Sequence, residues 1–166
     1  MRIDELDVNL KVESDITEPD LVWMDARSAP FVISGVMYDT ERGCYLRMPR
    51  ETAENVSEGV TILNYYTAGG MVRFRTNSPC IAIKAVMDNN ILMAHITLIG
   101  QSGFDLYHRL EDGQDLFHQS FRPIMGMKNG YESLVQTSGK LRDYTINFPL
   151  YSDVSMLYIG LEDGAK

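Results

Sequence analysis

The sequence predicts an all-β domain, an antiparallel two-sheet sandwich, and three observations carry that prediction. From Met71 to Leu161 seven short runs rich in β-branched and aromatic residues follow one another, each bounded by Gly, Pro, Asn or Asp. Alternation with period two, as in Met71-Val72-Arg73-Phe74-Arg75-Thr76, sorts apolar side chains to one face and polar ones to the other. A chain of 166 residues, 45% of them hydrophobic, is sized for a single domain with a core of its own.

Residues 1–20 alternate apolar and charged positions (Ile3, Asp4, Leu6, Asp7, Val8, Leu10, Lys11, Val12), which reads as an edge strand or a loosely packed arm ahead of a domain over 21–166. Trp23 to Pro30 looks turn-rich, and Phe31-Val32-Ile33 before Gly35 reads as a short buried strand. Tyr38 to Met48 holds a turn at Asp39-Thr40-Glu41-Arg42-Gly43 between two short strands. After Pro49, Arg50 to Asn55 is the best helix candidate, with Glu51 and Glu54 near the positive end of the helix dipole. Val56, Val60 and Leu63 continue a helical spacing that Gly59 and the β-branched Val60-Thr61-Ile62 argue against, so one short helix is expected and the second stretch stays open. The strands then run Met71–Thr76, Cys80–Met87, Ile91–Ile99, Phe104–Leu110, Tyr131–Gln136, Leu141–Phe148 and Val154–Leu161, with Asp88-Asn89-Asn90 as a hairpin turn.

A net charge of −8 and a pI near 4.8 exclude a nucleic-acid surface, which needs clustered Lys and Arg. The first twenty residues carry nine charged side chains and lack the basic start and apolar run of a signal peptide, so a cytoplasmic protein is expected. No run approaches the ~20 apolar residues of a membrane helix. Cys44 and Cys80 are too few and too far apart for a zinc site or a disulfide framework and read as reduced core thiols. Neither a metal nor another cofactor is expected.

Gly103-Phe104-Asp105-Leu106-Tyr107 resembles the GxDLY signature of a domain found at the N-terminus of SGNH-type esterases. Thr67-Ala68-Gly69-Gly70 with Val72 to Thr76, Gly130-Tyr131-Glu132-Ser133, and Thr145-Ile146-Asn147-Phe148-Pro149-Leu150-Tyr151 are similar to further blocks of the same family, together covering roughly residues 22 to 162. The resemblance implies a jelly-roll-like sandwich that serves as a non-catalytic accessory domain. It also implies a partner, a C-terminal SGNH hydrolase domain in the same polypeptide, acting on esters such as acetylated carbohydrate. A free-standing carbohydrate-binding module is the alternative, with Trp23, Tyr65, Tyr66, Tyr107, Tyr131, Tyr151 and Tyr158 as stacking candidates.

In a strand from Phe104 to Arg109, period two puts Phe104, Leu106 and His108 on one face and Asp105, Tyr107 and Arg109 on the other. Asp105 is a candidate partner of Arg109, Arg73 or Arg75, orienting Tyr107; the plainer reading has it satisfy backbone N–H groups where the strand begins. Asp105, Tyr107, Arg109, Arg73 and Arg75 are therefore the candidate interdomain or binding residues, and Gly103, Leu106, Gly69 and Gly70 the structural ones. Asp105 and His108 also spell the Asp-x-x-His of an SGNH triad, but the chain contains no Gly-Asp-Ser nucleophile and no alternating α/β pattern, so no catalytic residue is expected. Of the three histidines, His108 and His118 are placed to approach each other across a hairpin through Glu111 to Gln114, and His95 falls on the polar side of its strand.

Overall fold

The computed structural model describes residues 12–17, 20–88 and 92–166. Of the eleven strands among the described residues, nine form two main sheets: β1 (Leu21–Asp25), β11 (Met156–Glu162), β6 (Cys80–Val86) and β9 (Gly130–Gln136) in one, and β2 (Val32–Ser34), β5 (Met71–Thr76), β10 (Arg142–Asn147), β7 (Phe104–Arg109) and β8 (Asp115–Phe121) in the other. The hairpin β3 (Met37–Asp39) and β4 (Cys44–Leu46) stands apart from both. With β2 and that hairpin set aside, the chain alternates between two four-stranded antiparallel sheets in the order of a jelly roll, first strand beside last.

The core is built by alternation. Val72 and Phe74, Tyr144 and Ile146, Phe104 and Leu106, and Phe121 face inward from one sheet, against Ile81, Ile83, Ala85, Leu157, Ile159, Leu161, Tyr131 and Val135 from the other. Edge-to-face contacts Phe31–Phe74 and Tyr45–Phe148 (ring centroids 5.3 and 5.1 Å) extend it under the hairpin. Cys44 and Cys80 are free and buried, and burial pushes both thiols up from their ordinary pKa.

Several elements differ from the sequence reading. Three short helices occur among the described residues: α1 (Arg50–Glu54), α2 (Glu58–Leu63) and α3 (Leu98–Ser102). In α2, the Ser57 hydroxyl caps the first turn by accepting from Val60 N (3.2 Å), which outweighs Gly59. The expected strand Ile91–Ile99 is absent from its described part. Residues 92–97 are irregular, with a turn at Ala94 and His95, and Thr97 caps α3 by accepting from Gly100 N (3.3 Å). A hydroxyl at the N-cap and Gly103 at the other end override the β-branched content of that run. His95 accordingly sits in an exposed turn. Trp23 to Asp25, expected within a turn-rich segment, instead belong to strand β1, and Val32–Ser34 is an edge strand with Val32 59% exposed rather than buried.

Residues 12–17 form no strand; they lie over the outer face of the four-stranded sheet. Ile16 packs on a second cluster of Leu21, Cys80, Ala82, Trp23 and Leu134, while the Ser14 hydroxyl and Asp15 N donate to Glu132 (2.6 and 3.1 Å). Lys84 joins them, paired with Glu132 at 3.0 Å and donating to the Glu13 carbonyl. The alternating pattern of residues 1–11 and the Asn89-Asn90 turn lie outside the described residues. No helix among the described residues is long and apolar enough to cross a membrane.

Candidate functional site

Because Val72, Phe74, Phe104, Leu106 and Ile146 point into the core, their alternating neighbours line the outer face of the five-stranded sheet. Strand register arranges that face in three cross-strand rows. One runs Ser34, Met71, Asn147, Asp105, Ser120; the next Val32, Arg73, Thr145, Tyr107, Phe117; the last pairs Arg75 with Asp143 and Arg109 with Asp115. All five candidate residues, Asp105, Tyr107, Arg109, Arg73 and Arg75, are thus on one surface.

Their partners differ from those expected. Asp105 meets none of the three arginines: its Oδ1 accepts from the Ser120 hydroxyl at 2.6 Å. Arg109 grips Asp115 through Nε and Nη2 (3.0 Å each), a fork-to-carboxylate pair directly across β7 and β8. Those hydrogen bonds hold the Asp115 carboxyl below the usual carboxylate range and raise Arg109, with the field of Arg73 adding to the effect on Asp115. Arg75 and Asp143 stand 3.9 Å apart, and Arg73 reaches the Ser34 hydroxyl (3.2 Å) and the Met71 sulfur (2.7 Å). Tyr107 is oriented by Phe117, edge to face at 5.5 Å, rather than by Asp105. The register shifts between Leu106 and Tyr107, a bulge that turns this end of β7.

Ser120, Phe117 and Asp115 were not singled out from sequence because no strand was expected between Leu110 and Tyr131, even though a hairpin through Glu111 to Gln114 was. The signal was Asp112-Gly113, a hairpin dipeptide: Gly113 takes φ +85°, and Leu110 N donates to Gln114 O at 2.8 Å. That hairpin brings His108 and His118 together, ring centroids 5.6 Å apart. His118 Nε2 lies 2.8 Å from the Gln136 carbonyl, and burial, with the fields of Arg142 and His118, holds His108 below the ordinary His value. No group of three or more His, Cys, Asp or Glu able to hold a metal occurs among the described residues. His108 faces the core side of β7, against Tyr144, and Asp105 the outer side, so the Asp-x-x-His pattern does not form a dyad.

The structural candidates gather at one end of the sandwich. Gly103 ends α3 with its N–H on the Ile99 carbonyl (2.9 Å), and a Cβ there would sit 2.4 Å from that same oxygen. Its φ is an ordinary −74°, so the requirement is space and not backbone conformation. Leu106 is fully buried. Gly69 takes φ +91° and Gly70 lies against Val36 and Phe148, where a Cβ would approach to 2.9 and 3.0 Å. The Tyr131 hydroxyl donates to the carbonyls of Ser102 and Phe121 (3.0 and 3.2 Å), Tyr151 N to Gln101 O (3.0 Å), and the Thr67 hydroxyl to Pro149 O and Ser152 O. Ser102 and Ser152 share a buried hydrogen bond of 2.8 Å. The four sequence blocks are thereby tied to one another through the backbone around Gln101 and Ser102. Of the stacking candidates, Tyr131 is buried, Trp23 lies across Gly160, and Tyr66 and Tyr151 pair edge to face at 6.0 Å.

Solved structures with a similar fold include a protein from Bacteroides ovatus ATCC 8483 described as a GDSL-like lipase, with 21% identity and a TM-score of 0.74 over 89% of this chain. The salicylyl-acyltransferase SsfX3 from a tetracycline biosynthetic pathway is similar over 88% of this chain, with 16% identity and a TM-score of 0.60. This chain spans 42% of the first and 40% of the second, and at such identities the likeness is one of fold. A search of characterised proteins finds no match. Residues 21–166 match the model of the GxDLY family, described as the N-terminus of Esterase_SGNH_hydro-type, and the chain belongs to that family.

Proposed function

We propose that this chain is a non-catalytic accessory domain that packs on an SGNH hydrolase domain of the same polypeptide through the outer face of its five-stranded sheet. That contact shapes the cleft in which the hydrolase holds its ester, with acetylated carbohydrate as the substrate class. The observation that carries this reading is the family match over residues 21–166, since a domain that precedes a hydrolase has to meet it through one of its surfaces. Of the two outer faces, that of the four-stranded sheet is already occupied at Leu21, Trp23 and Ala82 by Ile16 and its arm. The other carries Arg73, Tyr107 and Phe117, with Val32 and Phe117 59% and 51% exposed. Arg and Tyr anchors beside apolar side chains, with charges already paired around them, make a contact that is specific and partly wet.

The test is made in the full-length polypeptide. Tyr107→Ala and Arg73→Ala each lower kcat/KM for ester hydrolysis by roughly tenfold, the loss of about 1.4 kcal/mol expected from one interfacial anchor. Unchanged kinetics at matched folded fraction would remove this face from function. Glycan binding by the chain alone, combined with unchanged kinetics, would favour the free-standing carbohydrate-binding module instead.

A further inference from the structure

We infer that the open side of the sandwich between the edge strands β1 and β2 is a binding site for a small uncharged carbonyl compound, whose apolar body fills the gap and whose oxygen accepts a hydrogen bond from Tyr45. A cavity of about 250 Å³ lies there, lined by Ala26, Phe31, Ile33, Val36, Tyr38 and Tyr45, with Arg27 beside them. Strand β1 is one edge of the four-stranded sheet and β2 one edge of the five-stranded sheet, so the hairpin β3–β4 roofs a gap that neither sheet closes. This site is at the opposite edge of the five-stranded sheet from β8 and uses the inner side of β2 at Ile33, whereas Val32 and Ser34 on its outer side belong to the interdomain face.

Tyr45 supplies the polar observation. It is 1% exposed, yet its hydroxyl has no hydrogen-bond partner, the one such buried side-chain atom among the described residues. A buried donor left unpaired is costly, and native proteins keep few of them. The groups whose charges act on this phenol, Asp25, Arg27 and Tyr38, include those at the cavity's rim. Burial pushes the Tyr45 pKa well up, so the group is a neutral donor across the physiological range.

The lining also fixes the class of ligand. Arg27 Nε and Nη2 both bind the Asp25 carboxylate (2.9 and 2.5 Å), and the guanidinium lies over the Tyr38 ring at 4.0 Å. Burial would raise the Asp25 carboxyl, and the hydrogen bonds from Arg27 outweigh it and hold it low, so the two charges cancel at the rim. No net charge is left to attract an ion, and the remaining walls are aliphatic and aromatic. By the proportion that lets an apolar cavity of about 150 Å³ hold benzene, this one takes a body of about ten heavy atoms.

The experiment uses acetophenone and its isostere α-methylstyrene, which replaces the carbonyl oxygen with a methylene group, titrated into the purified chain and into Tyr45→Phe. Binding is followed by the NMR shifts of the Ile33 and Val36 methyl groups. The wild-type chain is expected to bind acetophenone roughly fivefold more tightly than α-methylstyrene, the discrimination given by one neutral hydrogen bond. In Tyr45→Phe the ratio falls to about one, and the melting temperature is unchanged or higher because no hydrogen bond is lost. Equal affinities in the wild type, no binding of either compound, or shifts mapping away from Ile33 and Val36 would overturn the assignment. A fall in melting temperature for Tyr45→Phe would overturn it too, since the hydroxyl would then already have a partner.

Discussion

At Asp105 the carboxylate accepts one hydrogen bond, from Ser120 across the β7–β8 pairing, in a half-buried position. Removing the acceptor leaves the Ser120 hydroxyl unpaired, which costs about 1 kcal/mol. His108 has only ring contacts with Tyr144 and His118, so Asp105→Ala lowers stability more than His108→Ala does. A double-mutant cycle with Ser120→Ala measures the pair directly, and the expected coupling is about 1 kcal/mol by denaturant unfolding. Additive single-mutant effects would mean the hydrogen bond contributes nothing and Asp105 acts elsewhere. The charges around it have a different role: Arg109 and Asp115 satisfy each other on the surface, where an ion pair is worth little to stability. Such pairs set register and complementarity instead.

The arm at residues 12–17 depends on Glu132, which gathers the Ser14 hydroxyl, Asp15 N and Lys84. Burial works to raise this carboxyl, and the hydrogen bonds from Ser14 and Lys84 outweigh it, so its folded pKa lies below the ordinary 4.5. A depressed carboxylate stabilises the folded state above its unfolded pKa, and that contribution is lost as pH falls through the folded value. The arm is therefore held at neutral pH and released in acid below about pH 4.5. Trp23, the one tryptophan, packs in the cluster that Ile16 covers, and its emission shifts to the red on release. Glu132→Gln shows the shifted emission already at pH 7, and an emission independent of pH and of this substitution would show that the arm is held by Ile16 alone.

How far these elements were legible follows from their surroundings. Strands β5, β7, β9 and β10 bury one face and expose or half-expose the other, so period two marked each within a few residues, whereas β6 and β11 are buried on both faces over part of their length and showed as short apolar runs between turn residues. Strand β1 did not show because both of its faces are partly covered, one by the core and one by the arm. Strand β8 did not show because it is an edge whose side chains are exposed or half-buried up to Phe121, with no apolar alternation. Helix α3 was hidden in a run whose composition favours strand, where Thr97 and Gly103 decide the outcome. At the candidate site, parity alone placed Asp105, Tyr107, Arg109, Arg73 and Arg75 on a common face, whereas their partners depended on β8 and on a bulge that no local pattern announces.

Across the described residues, the serine hydroxyls of the core and of the β7–β8 hairpin are engaged away from the histidines. The hydroxyls of Ser102 and Ser152 are buried on each other, Ser78 donates to the Cys80 carbonyl, and Ser120 donates to Asp105 with both histidines of that hairpin turned elsewhere. Hydrolysis of an ester by a serine enzyme needs a hydroxyl within about 3 Å of an imidazole and donors for the oxyanion. The purified chain is therefore expected to leave 4-nitrophenyl butyrate unhydrolysed above the buffer rate and to take up no serine-reactive phosphonate. Turnover that survives repurification and disappears in both Ser120→Ala and His108→Ala would sink the accessory reading, because those two side chains would then have to meet through a rearranged β7–β8 hairpin. Inactivity of the chain alone, with full activity only when it is joined to a hydrolase domain, places the chemistry in the partner and leaves this sandwich the work of contact and shape.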